Sequence, residues 1–242
     1  PILTVSGEIL HNPHHRQQMS DGQLVLNDSG AASARHYASD ITRTFPVSGT
    51  FSTRQKEIYS VVLDAQTRAI EMIRPGVAYR EVHMAAVTRI ALGLVDLGLM
   101  SGDPAEIVAK GAHALFMPHG LGHMLGLDVH DMESLGEDRV GYTTEIVRST
   151  QFGLSALRLG RELADGFVIT VEPGLYFIPA LISRWRGEGR FGEHIRYDRL
   201  DAYLDFGGVR IEDDLLVTAE GGRLLGPPIP KTVADVEAAC GQ

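Results

Sequence analysis

The sequence predicts an α+β protein, and three observations carry that reading. Short apolar runs with strand character open the chain, two long helical periods follow, and strand-like runs return towards the C-terminus. Strands therefore stand both before and after the helix pair, which makes the arrangement a mixed one.

The elements follow in order. Pro1-Ile2-Leu3-Thr4-Val5 reads as a strand, and Gln23 to Asn27 (QLVLN) as a second one behind the turn Asp21-Gly22. Tyr37 to Val47 is a further extended run closed by Ser48-Gly49. Ser52 and Gln55 have the spacing of a capping box. Behind it Ile58, Val61, Ala65, Ala69, Met72 and Ile73 recur at helical spacing until Pro75-Gly76 stops them. Val82, Ala86, Ile90, Leu94 and Leu97 mark a second helix ending near Gly98. Val168 to Val171 and Val209 to Ile211 are strand candidates, and Asp213 to Thr218 continues the latter. No repeat of about 20–50 residues and no low-complexity stretch interrupts this order.

Composition narrows the function classes. The 242 residues are 44% hydrophobic and 22% charged, as in an ordinary globular domain with a sizeable core. The net charge of −9 argues against nucleic-acid binding through phosphate neutralisation and against a polybasic membrane contact. The single cysteine, Cys240, cannot form an internal disulfide, and no apolar run has the length of a membrane span. A reducing, cytoplasmic setting is the expectation.

The chemistry sits in acids and histidines near strand ends. Asp28 closes QLVLN and Asp40 lies inside Tyr37 to Val47. A carboxylate among apolar neighbours is costly unless it is paired or binds a metal, so each is a turn former, a salt-bridge partner or a ligand. The segment His119-Gly120-Leu121-Gly122-His123-Met124-Leu125-Gly126-Leu127-Asp128-Val129-His130-Asp131 concentrates three histidines among glycines. Those glycines make a stable helix there doubtful, and the Glu of the HExxH zinc pattern is absent. A His-rich surface loop is the bland alternative to a metal or acid–base site. Glu172 stands where Val168 to Val171 meets Pro173-Gly174, and Glu212 follows Val209-Arg210-Ile211. Two Asp, one His and two Glu suit an oxygen-rich nest for two divalent ions, with one carboxylate bridging.

Five segments in order, LNDSG, YASDITRTFPV, HGLGHMLGLDVHD, TVEPGLYF and GGVRIEDDLLVT, resemble the proline-specific metallopeptidases of the pita-bread fold, which include aminopeptidase P and prolidase. The similarity runs from about Pro1 to Val236. It implies a curved, mostly antiparallel sheet covered by helices, with the first half of the fold incomplete. It also implies that residues 1–242 are a catalytic domain forming the C-terminal part of a longer protein. The metal ligands it implies are Asp28, Asp40, His123, Glu172 and Glu212, holding two divalent ions, Mn²⁺ foremost, with Co²⁺ or Zn²⁺ as the others. Glu172, His130 and His119 are the implied catalytic residues: Glu172 moves the proton, and the histidines steady the oxyanion. His11, Arg158 and Arg210 fall on the substrate side.

The implied reaction is hydrolysis of an Xaa-Pro bond through a metal-bridging hydroxide, with a proline-containing peptide as partner and a homodimer as the assembly. Asp28 and Asp40 are twelve positions apart, one more than the resemblance leads one to expect. The insertion Phe177 to Phe206 leans towards the prolidases, and Arg158 matches a prolidase arginine that binds a dipeptide carboxylate. Arg158 as a helix-surface residue, and Arg210 as a purely structural ion-pair partner, are the competing readings. Two other function classes stay in view. Some pita-bread domains are non-catalytic binding modules, and methionine aminopeptidases share the ligand set.

Overall fold

The computed structural model describes residues 1–241. Its first sheet is antiparallel, in the order β1 (Ile2–Thr4), β2 (Leu24–Ser29) and β3 (Ile41–Pro46). The register sets Asp28 opposite Ile2 on one side and Thr42 on the other. Asp28 thus lies inside its strand rather than closing it. Asp40 lies just outside β3, because residues 30–40 turn back on themselves. Ala32 bridges Ala38, the Ser39 Oγ accepts from Ala31 N, and His36 takes a positive φ. The extended run from Tyr37 therefore shrinks to six residues, and Asp40 is freed from ladder pairing.

Helices α1 (Thr53–Met72) and α2 (Tyr79–Asp96) come next. Both halves of the Ser52–Gln55 capping box are formed, a feature that contributes on the order of 1 kcal/mol. Ile58, Tyr59, Val62, Ala65 and Ala69 of α1 meet Val82, Ala86, Ile90 and Leu94 of α2 in one buried cluster. Each fully buried aliphatic side chain there stabilises the fold by about 1.5–3 kcal/mol. The helices approach closely at Gly93, where a Cβ would lie 2.5 Å from a Val61 methyl.

Short helices α3 (Pro104–Lys110) and α4 (Glu137–Gly141) precede β4 (Val168–Val171) and β5 (Gly174–Tyr176). After α5 (Pro179–Gly187) and α6 (Tyr197–Leu200) come β6 (Gly208–Arg210), β7 (Asp213–Thr218), β8 (Gly221–Leu224) and α7 (Val233–Cys240). β4 pairs antiparallel with β7, and β5 with β6, so two chain segments run side by side with one interruption each. The interruptions are Glu172-Pro173 and Ile211-Glu212. Glu172-Pro173-Gly174 is therefore a break between two strands and not the turn its composition suggests. Pro173, which has no N–H, still accepts from Ile211 N across the gap. Thr44 and Thr42 of β3 bond the backbone of Arg210 and Glu212, which joins the first sheet to this pair.

Two buried histidines, His83 on α2 and His113, sit in the helical layer. Neither nitrogen of His83 has a protein partner, nor has the His113 Nδ1. Burial, with His113 as a secondary cause, pushes the His83 pKa down to about 3, and burial takes His113 to about 4. Both folded values lie below the unfolded one, so the stability held by the neutral rings is complete above pH 6.5. It is lost as pH falls from there, by about 1.4 kcal/mol per pH unit for each ring. His83→Leu is expected to flatten the melting-temperature profile between about pH 6.5 and 4 relative to the unaltered chain. Parallel profiles would show that His83 does not carry this dependence.

Candidate metal centre

Four carboxylates and four histidines line one cavity of about 280 Å³, with Arg210 in its wall. Asp28 comes from β2, Asp40 from the turn before β3, and Glu172 and Glu212 from the two strand interruptions. An interruption in a ladder re-aims side chains, here bringing Glu172 and Glu212 to the same space. A polar residue on the buried face of α1 fixes both breaks. The Gln66 amide donates to the carbonyls of Val171 and Ile211, the residues just before the two glutamates. Its own carbonyl oxygen accepts from Lys231.

His123 arrives on an irregular segment laid along β4. Its N–H donates to the Thr170 hydroxyl, and Thr170 N donates back to His123 O. The approach requires glycine at 122, where a Cβ would stand 2.2 Å from the Thr170 carbonyl oxygen. His123 Nδ1 lies 2.9 Å from the Met124 carbonyl, which can only accept, so Nδ1 carries the hydrogen. Nε2 then faces Asp40 Oδ2 at 3.5 Å and Glu172 Oε1 at 3.6 Å.

The electrostatics show the same crowding. Burial and the charges of Glu172 and Asp40 push Glu212 well above the carboxylate range. Burial also raises Glu172 and Asp28, with Arg210 opposing. Asp40 goes the other way: burial would raise it, but the His123 ring beside it holds it down. Glu212 Oε2 accepts from Thr42 at 2.6 Å, while its buried Oε1 has no partner. Asp40, His123 and Glu212 each offer one donor atom, all within 4.8 Å of one another. A divalent cation fits this set. It would meet an orphaned carboxylate oxygen and an imidazole nitrogen facing two carboxylates, among hard oxygen donors.

Behind the acids runs a second chain of contacts. Arg210, buried, donates to Asp28, to the Thr42 hydroxyl at 3.1 Å and to the Tyr176 hydroxyl at 3.0 Å. Tyr176 is 3.0 Å from His119 Nε2, and His119 Nδ1 is 2.7 Å from the Gly120 carbonyl. Burial and Arg210 hold the His119 pKa at about 3, so the ring is neutral with its hydrogen on Nδ1. Nε2 therefore accepts from the phenol, whose own pKa burial lifts to about 12. Both His119 nitrogens are thus engaged, and a chain of contacts runs from its ring through Tyr176 and Arg210 to Asp28. Tyr176 was marked only by its place in TVEPGLYF, four residues past Glu172.

The remaining candidates lie at the rim. His130 packs edge-on against His123 with ring centroids 4.4 Å apart, and burial lowers its pKa to about 4. His11 is exposed and lines the cavity mouth with His130. Arg158 also lines it, following a short 3₁₀ turn (Leu154–Ala156) rather than standing on a helix surface. Its guanidinium is not free: Nη1 donates to Glu133 at 2.6 Å and to Glu137 at 3.2 Å.

The profile of metallopeptidase family M24 matches residues 3–219. The chain belongs to that family. The M24 chain is 40% identical over 229 residues to the Xaa-Pro aminopeptidase of Haemophilus influenzae, covering 95% of itself and 44% of that protein. Against the Xaa-Pro aminopeptidase of Escherichia coli it is 37% identical over 235 residues, with coverage of 96% and 44%. Among solved structures, the aminopeptidase PepP of Pseudomonas aeruginosa superposes with a TM-score of 0.76 at 37% identity, over 99% of this chain and 47% of that one. A zinc-substituted E. coli aminopeptidase P in complex with product gives 0.76 at 36%, over 99% and 46%. These neighbours carry the pita-bread fold, as the five segments implied. The chain spans a little under half the length of the relatives it matches. Among the described residues, no helix is long and apolar enough to cross a membrane.

Proposed function

We propose that residues 1–242 form the catalytic domain of a metal-dependent peptidase that removes the residue before proline from the N-terminus of peptides. The observation that carries this reading is the cavity floor. There His123 Nε2 faces Asp40 and Glu172, and Glu212 keeps one buried oxygen without a partner. Asp28, Asp40, His123, Glu172 and Glu212 would hold two divalent ions, and the family resemblance favours Mn²⁺. The chemistry such ions supply when bound is Lewis-acid activation of water and of a carbonyl oxygen.

The protein groups divide the remaining work. Glu172, on the cavity wall beside His123, takes a proton from the attacking water and delivers it to the proline nitrogen. That delivery is needed because the imide nitrogen has no hydrogen of its own. His130, neutral at pH 7 and making no hydrogen bond among the described residues, has an N–H to offer the scissile carbonyl oxygen. Arg210 keeps Asp28 in place and hands its second donor to Tyr176, which fixes His119. His11 and Arg158 both line the cavity, where they would meet the substrate.

Among the relatives, Xaa-Pro aminopeptidase is the repeated name, and Arg158 is already paired. Both favour peptides over dipeptides as substrates. All five expected ligands line one cavity, which speaks against a binding module, and the repeated Xaa-Pro aminopeptidase name among the relatives speaks against a methionine aminopeptidase. The test is hydrolysis of Gly-Pro-Ala, Gly-Ala-Ala and Met-Ala-Ala by the metal-supplemented protein. Release of glycine from Gly-Pro-Ala alone is expected. Preferential release of methionine, or no hydrolysis of any peptide, would overturn the reading.

A further inference from the structure

The rim of the cavity carries a charge arrangement that the hydrolytic chemistry does not use. The segment after His130 turns through Met132, which has a positive φ, into Glu133 and then α4. Glu133 is largely buried, its carboxylate 2.6 Å from Arg158 Nη1 and 3.8 Å from His130 Nδ1. Glu137 reaches the same Nη1 from the first turn of α4, at 3.2 Å, and is itself held by Arg148. Arg148 also pairs with Asp138. The cluster therefore sets three carboxylates against two guanidinium groups. All the hydrogen bonds that Arg158 makes among the described residues run from Nη1, which leaves its other N–H donors directed elsewhere.

We infer that Glu133 and Glu137 set the substrate-length preference of this site, by cancelling the charge of Arg158 while leaving it free donors. A compensated guanidinium still donates to a neutral acceptor, such as the peptide carbonyl beyond proline. It no longer attracts a free carboxylate, which would approach two glutamates and one arginine at the same point. A dipeptide places its C-terminal carboxylate one residue past the scissile bond, whereas a longer peptide has an amide there. Glu133 and Glu137 are thus specificity-determining residues that act through Arg158. The inference rests on the Xaa-Pro reading, since it takes the scissile bond to lie over the acid cluster.

The experiment compares Gly-Pro with Gly-Pro-amide, which differ at the C-terminus by charge and not by length. In the unaltered protein kcat/KM should favour the amide. Glu133→Gln should raise the dipeptide-to-amide ratio by about tenfold, and Glu133→Gln with Glu137→Gln should raise it further. The rise comes from the dipeptide, with little change in the amide. The same ratio, read by calorimetric binding of both ligands to the metal-free proteins, needs no turnover. A ratio unchanged within twofold in kinetics or binding, or a shift favouring the amide, would overturn the inference. Equal losses on both ligands would do so too, because they would make Glu133 a support for His130 or the fold. Cleavage of neither ligand by the unaltered protein would count against the Xaa-Pro reading, and the calorimetric ratio would still decide the role of Glu133.

Discussion

Glu172→Gln should lower kcat on an Xaa-Pro peptide by about a thousandfold or more, within the range for loss of a general acid–base group. The metal-free protein should remain as stable as before, or become more so. The two halves of that result have one cause. Glu172 is the acid proposed to move the proton, and Gln can neither take a proton from water nor give one to the proline nitrogen. In the metal-free fold, however, the carboxylate is a liability: burial, with Asp40 and Asp28 beside it, raises its pKa against the pull of His123 and Arg210. Gln conserves the volume and removes one like charge. Kinetics paired with thermal melting in chelator reads both effects. A variant that lost activity together with several degrees of melting temperature would mark Glu172 as a structural residue.

Arg210→Met is expected to behave in the opposite way. Arg210 is a guanidinium buried beside the acids of the cavity, and burial alone would lower its pKa, yet Tyr176, Glu172, Asp28 and Glu212 raise it. Removing one partner of a buried charge network leaves the others uncompensated, at a cost of about 3–5 kcal/mol. In the metal-free protein that cost should appear in full. Saturating divalent metal should recover much of it, because ligand binding to the native state alone stabilises it and the ions replace the missing charge. Activity should stay low even then, since Tyr176 and His119 lose the donor that orders them. Denaturant unfolding of both proteins, with and without metal, is the measurement. An equal loss of stability in the two conditions would show that Arg210 and the metal do not share the carboxylates.

How much of this was legible in the sequence depends on the range of the interactions involved. Helices α1 and α2 were readable because each buries one periodic face and α1 starts at a local capping box. The short helices α3 to α7 went unread, since four to nine residues hold too little periodicity to stand out. Tyr37 to Asp40 looked like strand on local propensity, but pairing of Ala32 with Ala38 drew those residues into a turn. The acids of the site were visible as expensive residues in apolar surroundings. Gln66 left a fainter mark of the same kind, an amide on the buried stripe between Val62 and Ala69. The pairing of Arg158 with Glu133 and Glu137 left none, because contacts 25 and 21 residues apart, outside any one helix or strand, obey no period.

Metal titration of the chelator-treated protein, with Gly-Pro-Ala hydrolysis followed in the same samples, bears most directly on the site. Two equivalents of Mn²⁺ per chain should bind, with hydrolysis absent at the start and rising as the site fills. Asp40→Ala should bind fewer equivalents and stay inactive throughout. Full hydrolysis by the metal-free chain, or an Asp40→Ala protein that binds both ions and remains active, would contradict the assignment of these five side chains.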